Sequence, residues 1–171
     1  MVLGAAGSAC ELPVTFGLVE DWKPAAVELD GLGELADLYR NGPFEVVCEI
    51  DAKPAGDIGF LRVHVAPGRK GSPRSHLETF IAGEAPDARK AGNFEVTKTE
   101  FADVTLGGQA AAEVTYETYN KSMEHESKYS AFAVNTPAGA VVVKLSPFGA
   151  DEHDNTLPAF DLAKRTLTLA G

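Results

Sequence analysis

The sequence predicts an α+β fold in which helices cover an antiparallel β-sheet. Three observations support this prediction: apolar and polar residues alternate along several segments, two other segments have helical spacing with suitable caps, and short turns join the later strands. Helices that are segregated from an antiparallel sheet pack against it in layers. A chain of 171 residues with a hydrophobic fraction of 44% is sufficient for one such domain with a buried core.

The first third of the chain is predicted to be mainly β-strand. Residues 12–19 are apolar and partly β-branched, and residues 25–29 form a second short strand after a turn. Residues 34–40 have the pattern of a helical turn. Apolar residues then alternate with polar ones over residues 44–51, which predicts a strand with one buried face, and residues 58–65 continue the sheet after another turn.

The clearest helix follows these strands. Ser72 is a favourable N-cap, Pro73 suits the first helical position, and Gly83 ends the helix. Its apolar stripe, at the spacing i, i+3, i+4, consists of Leu77, Phe80 and Ile81. We predict that this stripe packs on alternate residues of a later strand, residues 111–119.

The remainder of the chain is predicted to form an antiparallel meander and a final helix. Strands are expected at residues 94–101, 111–119, 129–134 and 140–145, joined by polar or glycine-containing turns. Residues 151–165 begin with acidic and end with basic side chains. This arrangement favours a helix, because such charges complement its macrodipole.

The net charge of −10, from 25 acidic and 15 basic side chains, argues against several partners. An acidic surface is repelled by the phosphates of nucleic acids and by anionic membranes. The sequence also has no run of about 18 apolar residues that could form a transmembrane helix. We therefore expect neither nucleic-acid binding nor a transmembrane segment.

The sequence carries no recognisable motif for catalysis, metal binding or nucleotide binding. No G-x-S-x-G, G-x-G-x-x-G or Walker A string occurs. We interpret His64 and His76 as packing residues, and His153 as part of the acidic start of the last helix. His125 lies between two glutamates that would occupy the opposite face of a strand, so a solvated turn is favoured over a metal site. We expect no catalytic residues, no metal and no cofactor.

One basic cluster contrasts with the acidic background. Arg69, Lys70 and Arg74 lie in a predicted loop that follows Pro67 and Gly68. Solvated charge is the simpler interpretation. The alternative is contact with an anionic partner or a lipid head group, because the rest of the molecule supplies no such surface. These three basic residues are therefore the candidate partner contact.

Residues 1–11 are predicted to be a tail that precedes a single domain over residues 12–171. The segment is small and apolar but lacks the basic start of a signal peptide. Residues 6–10 resemble a lipoprotein cleavage box ending in Cys10, with Gly7 where such boxes usually carry leucine. We interpret the tail as the remnant of an export or lipoprotein signal.

Four segments together resemble a known family. Residues 107–116, which read GGQAAAEVTY, resemble the turn and strand that follow the first long helix of Mog1/PsbP-like domains. Residues 157–161 resemble the start of their last helix, and residues 77–81 occupy the place of their first. Residues 14–16 resemble their opening strand, although the proline that often precedes the next tryptophan is missing. The resemblance covers most of residues 12–169.

The resemblance implies a function class rather than a reaction. Many actinobacterial members of the family are exported lipoproteins, plant members bind the lumenal face of photosystem II, and the yeast member binds a small GTPase. It implies a non-enzymatic, extracytoplasmic binding or scaffold domain, membrane-anchored through a lipid upstream and acting through an unidentified protein partner. The alternatives are a carrier of a small apolar or lipid-like ligand, a hydrolase with an unrecognised site, and a cytoplasmic location.

The two cysteines, Cys10 and Cys48, are predicted to form a disulfide. Cys48 points to the apolar face of its strand and Cys10 precedes the first strand, so their sulfur atoms meet if the two strands are neighbours. The paired thiol count and the export implied by the resemblance favour the bridge, since disulfides persist in oxidising compartments. Two alternatives stay open: Cys48 as a buried thiol, and Cys10 as the lipid-bearing residue.

Overall fold

A computed structural model describes all 171 residues as a layered α+β fold. The strands are β1 (Val2–Leu3), β2 (Val14–Gly17), β3 (Lys23–Ala26), β4 (Arg40–Asn41), β5 (Phe44–Asp51), β6 (Gly59–Pro67), β7 (Phe94–Leu106), β8 (Gln109–Asn120), β9 (His125–Thr136), β10 (Gly139–Pro147) and β11 (Thr168–Leu169). The helices are α1 (Pro73–Ala82), α2 (Pro86–Lys90) and α3 (Ala150–Thr166), with 3-10 turns at Leu29–Gly31, Gly33–Tyr39 and Lys53–Ala55. None of these helices is long and apolar enough to cross a membrane.

The large sheet has eight strands, each antiparallel to its neighbours. Their order is β3-β5-β6-β10-β9-β8-β7, with β4 also paired to β5. Strands β7 to β10 form the predicted meander. β10 lies in the middle of the sheet, where Val143 is paired with Val63 of β6 on one side and with Phe132 of β9 on the other. A second, three-stranded sheet has the order β1-β2-β11.

Two hydrophobic cores lie on opposite faces of the large sheet. On one face, α1 covers a cluster of 12 buried residues that includes Phe80 and Tyr116. On the other face, α3 and the small sheet cover a cluster of 23 buried residues that includes Phe132 and Phe160. The predicted fold class, an antiparallel sheet covered by helices in α/β/α layers, is confirmed.

Helix α1 begins and packs as the sequence predicts. The Ser72 side chain accepts a hydrogen bond from the backbone N–H of Ser75 at 3.1 Å, and Pro73 occupies the first turn. The stripe of Leu77, Phe80 and Ile81 belongs to the same buried cluster as alternate residues of β8, namely Ala112, Val114 and Tyr116. The predicted packing of this helix on β8 is therefore confirmed.

Residues 1–11 are held against the domain at the buried residues Leu3, Gly4 and Cys10 and do not form the expected tail, although most of the segment is exposed. Strand β1 pairs with β2, and Leu3 is completely buried in the core beneath α3. Gly4 has φ +102° and approaches the Val14 carbonyl so closely that a Cβ atom would lie 2.0 Å from its oxygen. Burial of an apolar side chain and a close backbone approach together hold this segment against the domain.

Other elements also differ from the prediction. β7 extends five residues beyond the expected end at residue 101, and α2 and β11 have no counterpart in the predicted elements. β7 is an edge strand that is exposed along most of its length, and the alternation of polar and apolar residues is interrupted at Phe101 and Ala102, where the predicted strand ends. Its length is set by pairing with β8 rather than by its own pattern.

The predicted disulfide between Cys10 and Cys48 is confirmed, with 5.9 Å between the two Cα atoms. Cys48 is fully buried on β5, and Cys10 is 2% exposed. The bond ties the N-terminal segment to the large sheet. Because both sulfur atoms are in this bond, Cys48 is not a free thiol, and Cys10 does not carry a lipid in this state.

Truncation of Phe80 is expected to be strongly destabilising. The ring is fully buried and makes edge-to-face contacts with Phe44 and His64, at centroid distances of 5.7 and 4.7 Å. Phe80→Ala should lower the free energy of unfolding by about 3–5 kcal/mol, measured by urea denaturation. Leu38→Ala is the control, since Leu38 is 77% exposed, and should change it by less than about 0.5 kcal/mol. Equal effects of the two substitutions would contradict the placement of α1.

Loss of the disulfide is expected to lower stability through the unfolded state. The bond spans 38 residues, and closing a loop of that length stabilises a fold by about 4 kcal/mol in the chain-entropy description. The double variant Cys10→Ala/Cys48→Ala should lose this amount in urea denaturation, and reduced wild-type protein should behave alike. Two reactive thiols per chain, in protein made under oxidising conditions and denatured without reductant, would contradict the bond.

Candidate functional site

The segment that joins β6 to α1, residues 67–74, includes the last residue of β6 and the first two residues of α1, and it lies at one end of the large sheet, which we call the basic end. The β9–β10 turn lies beside it, and the Gly68 backbone N–H donates a hydrogen bond to the Ala138 carbonyl at 2.8 Å. The sheet pairing places the β7–β8 turn at the same end. Three loops therefore meet at the basic end, and the predicted basic residues lie in the first of them.

Two side-chain hydrogen bonds of Asn135 fix the shape of this loop. The Asn135 side-chain N–H donates to the Gly71 carbonyl at 3.0 Å, and its side-chain oxygen accepts from His76 Nε2 at 2.8 Å. His76 belongs to α1 and is completely buried on the inner face of that helix. Since an amide oxygen only accepts hydrogen bonds, Nε2 of this imidazole carries a proton. His76 thus packs as expected from the sequence and also positions the loop.

The three candidate basic residues are in different environments. Arg69 is half-buried: its guanidinium donates to Thr79 Oγ1 at 3.1 Å and lies over the Phe44 ring. Arg74 is about half exposed; its guanidinium forms an ion pair with Glu78 at 3.1 Å and lies over the Phe101 ring at 4.5 Å. Lys70 is exposed and takes part in none of the ion pairs of the chain. Lys70 therefore presents an unpaired charge to the solvent, the charge of Arg74 is paired with Glu78, and Arg69 mainly holds the loop on α1.

A small apolar pocket opens beside the loop, on the face of the sheet covered by α3. Its volume is about 220 Å³, and Pro67 and Ala138 from the two neighbouring loops form part of its wall. The apolar lining continues with Pro13, Val47, Val65 and Val141. Drug-sized ligands usually occupy about 300–1,000 Å³, so this pocket suits a single side chain or a short alkyl group. No local sequence pattern marks this pocket, because its walls come from segments far apart in the chain.

A buried serine and histidine form the arrangement closest to a catalytic pair. Ser130 Oγ lies 2.8 Å from His153 Nε2, and His153 Nδ1 lies 3.4 Å from Asp154 Oδ1. Ser130 is 2% and His153 3% exposed, between the sheet and α3. A nucleophile must contact its substrate, and this hydroxyl is enclosed by the core. The pair is 23 residues apart in the chain, which is why no local motif revealed it.

His64 and His125 have structural surroundings. His64 is buried on β6, as interpreted from the sequence, with its ring against Phe80. His125, which the sequence placed in a solvated turn, instead begins β9, and its Nε2 lies 2.8 Å from the Phe148 carbonyl oxygen. Nowhere in the chain do three or more His, Cys, Asp or Glu side chains converge as metal ligands.

The most buried charged cluster lies beneath the α1–α2 junction. Glu84 Oε1 accepts hydrogen bonds from the Tyr116 hydroxyl at 2.5 Å and from Lys144 Nζ, and Glu84 is 6% exposed. The Lys144 ammonium also lies 3.9 Å from the centre of the Tyr129 ring. Burial, together with the neighbouring carboxylate, raises the pKa of Tyr116 well above its usual value. The polar groups of the cluster are paired with one another, and these pairs join the α1–α2 junction to strands β8 and β10.

Comparison with known proteins supplies a family and a fold. A family model described as "Uncharacterised lipoprotein" matches residues 1–167. No curated protein matches the sequence. The chain is similar to the solution structure of the cyanobacterial PsbP protein CyanoP from Synechocystis sp. PCC 6803, with 15% identity and a TM-score of 0.61, over 98% of this chain and 96% of that one.

It is also similar to the crystal structure of LpqN from Mycobacterium tuberculosis, described as involved in cell envelope biogenesis. The identity is 14% and the TM-score 0.54, over 100% of this chain and 91% of that one. At these identities the likeness concerns the fold. It confirms the PsbP-like fold that the resemblance in sequence implied.

Acidification is expected to destabilise the protein through His64. Burial, followed by the positive charges of Lys144 and Arg62, lowers the pKa of His64 well below its ordinary value of 6.5. The unfolded chain takes up a proton below that value and the folded chain does not. The contribution of His64 to the free energy of unfolding is therefore fully present above pH 6.5. It is lost as the pH falls below 6.5, by up to about 1.4 kcal/mol per pH unit.

Urea denaturation at neutral pH and near pH 5 measures this effect, with the buried and only tryptophan, Trp22, as the reporter. His64→Leu and His64→Gln remove the titrating group, so each should lose less stability than the wild type between the two pH values. A His64 variant that stays folded and loses as much free energy of unfolding between the two pH values as the wild type would contradict the assignment of the effect to His64. Burial also lowers the pKa of His153, so a further His153→Leu substitution should flatten the dependence again.

Proposed function

The chain belongs to the Lipoprotein_23 family of uncharacterised lipoproteins, and on that basis we propose that it is a non-enzymatic binding domain of the cell envelope that acts through a protein partner. The observation that carries the partner proposal is the basic end. There a hydrogen-bonded loop presents the unpaired charge of Lys70 to the solvent, beside Arg74 and its partner Glu78 in the first turns of α1, on a molecule whose net charge is −10. An unpaired positive charge such as that of Lys70 on an acidic protein favours encounter with an acidic surface.

The proposed lipid anchor precedes Met1. A lipoprotein carries its lipid on a cysteine thiol, and both cysteines of residues 1–171 are joined to each other. The same disulfide favours an oxidising, extracytoplasmic compartment over the cytoplasm. The similar fold of LpqN, which is described as involved in cell envelope biogenesis, is compatible with this location.

The apolar pocket defines the chemistry of the partner more closely. Pro67 and Ala138 of its wall lie in two of the three segments that meet at the basic end. A protein surface that presents one apolar side chain beside acidic residues fits both features at once. Interfaces of this kind combine a central apolar anchor with a polar rim.

The two other function classes have weaker support. A carrier of a small apolar ligand is favoured by the same pocket, but at about 220 Å³ the pocket holds only a short alkyl group. A hydrolase would require Ser130 to reach its substrate, and this residue is 2% exposed beneath α3. We propose that Ser130 and His153 stabilise the core rather than catalyse a reaction.

Site-specific photocrosslinking in native cells tests the partner proposal. A photoreactive amino acid at position 70 should yield a protein adduct, and Arg74→Glu should abolish the adduct because it reverses the charge beside the contact. The matched control is Lys98→Glu, which changes the net charge equally on the exposed edge strand β7 and should leave the adduct unchanged.

A second control places the photoreactive residue at position 121, in the β8–β9 turn at the opposite end of the sheet. The same adduct from position 121, or an adduct from position 70 that persists in Arg74→Glu, would contradict docking at the basic end.

A further inference from the structure

Three large apolar side chains are exposed together at the end of the sheet opposite the basic end. Ile58 is 56% exposed, Met123 69% and Phe148 68%, and each lies in a different loop. The Phe148 backbone N–H donates to the Ile58 carbonyl at 3.1 Å, and the His125 ring lies beside the Phe148 ring at 5.4 Å. Met123 lies two residues before His125. We call Ile58, Met123 and Phe148 the apolar tip.

The N-terminus lies at the same end of the molecule. The Leu18 backbone N–H donates to the Met1 carbonyl at 2.9 Å, and Met1 shares a surface depression with residues 19–24. Within that segment, Lys23 is paired with Asp51, at the end of β5 from which the loop carrying Ile58 starts. Any chain that precedes Met1 therefore leaves the molecule at the level of the apolar tip.

We propose that the apolar tip rests on the surface of the lipid bilayer when the chain is tethered through its N-terminus. This proposal rests on the lipid anchor of the proposed function. An anchor at Met1 holds the tip at a high effective concentration next to the bilayer, so weak insertion of a few side chains is sufficient for contact. The arrangement also directs Lys70 and the basic end away from the membrane.

The charge around the tip sets the conditions for this contact. Asp57 adjoins Ile58, Glu124 adjoins Met123, and Asp151 follows Phe148 by three residues, so these acids outnumber the exposed Lys53, while Lys121 is paired with Glu95 at 3.8 Å. These carboxylates are repelled by anionic lipids, and the repulsion is screened by salt. The tip therefore contacts a zwitterionic surface more readily than an anionic one, and the untethered chain does not bind either.

A tryptophan at the tip reports the contact directly. The variant Phe148→Trp, with a histidine extension at its N-terminus, is bound to phosphatidylcholine vesicles that contain a nickel-chelating lipid and brominated acyl chains. Its emission should shift to shorter wavelength and be quenched by the bromine atoms. Lys70→Trp, tethered in the same way, is the matched reporter at the basic end and should show neither change. The native Trp22 is 4% exposed and gives the same background in both variants.

Two further conditions sharpen the test. Release from the vesicles with imidazole should abolish the quenching, and replacing part of the phosphatidylcholine by phosphatidylglycerol should reduce it at low salt and restore it at high salt. Adding Ile58→Ser and Met123→Ser to the Phe148→Trp variant should weaken the quenching, because two of the three inserted side chains become polar.

Equal quenching of the two reporters, or none while the chain stays bound, would overturn the proposal. Quenching that appears only at high surface density of the chain would also overturn it, since the tip would then be a contact between copies of the chain. Because the tether is supplied artificially, a negative result concerns the tip alone. The lipid anchor and the partner at the basic end are tested separately.

Discussion

The whole structure depends on the central strand β10, which must be apolar on both faces because it has a core on each side. Ala140 and Val142 belong to the core beneath α1, whereas Val141 and Val143 belong to the core beneath α3. Both neighbouring strands are hydrogen-bonded to β10 along most of its length. Helices α1 and α3 cover different cores, so their relative position is fixed through this strand. The close packing on both faces also makes the ends of the sheet, where the loops begin, rigid.

The one charge on the buried part of β10 shows how a polar group is accommodated at such a position. Lys144 lies on the face covered by α1, where Glu84 and the ring of Tyr129 surround its ammonium group. A buried ion pair loses hydration on both partners, so its net effect on stability is small and its geometric effect is large. The pair, with the Tyr116 hydroxyl, fixes where the chain leaves α1 and enters α2. A cluster that strongly resembles a functional site in composition is thus explained by its place in the fold.

Local pattern predicts those parts of the fold whose burial alternates along the chain. Phe44–Asp51 was predicted with its observed bounds because every second residue is buried, and α1 because its cap and stripe are both local. β1 was not predicted, since two residues are too few to show a period. The pocket and the pair of Ser130 and His153 join residues from separate strands and helices, so no spacing in the sequence could have revealed them. The basic loop was found because charge is visible in sequence, but the inward packing of Arg69 required the structure.

The disulfide between Cys10 and Cys48 has a mechanical consequence for a chain that is held at its N-terminus. A pulling force on Met1 can peel away β1 and the residues that follow it, but only as far as Cys10, where the covalent bond passes the load to β5 in the large sheet. The nine residues before Cys10 extend to at most about 30 Å. In the oxidised molecule, the segment before Cys10 is thus a short tether whose maximum length is fixed by the disulfide. Reduction of the disulfide lengthens this tether, because the force is then no longer transferred to β5 at Cys10.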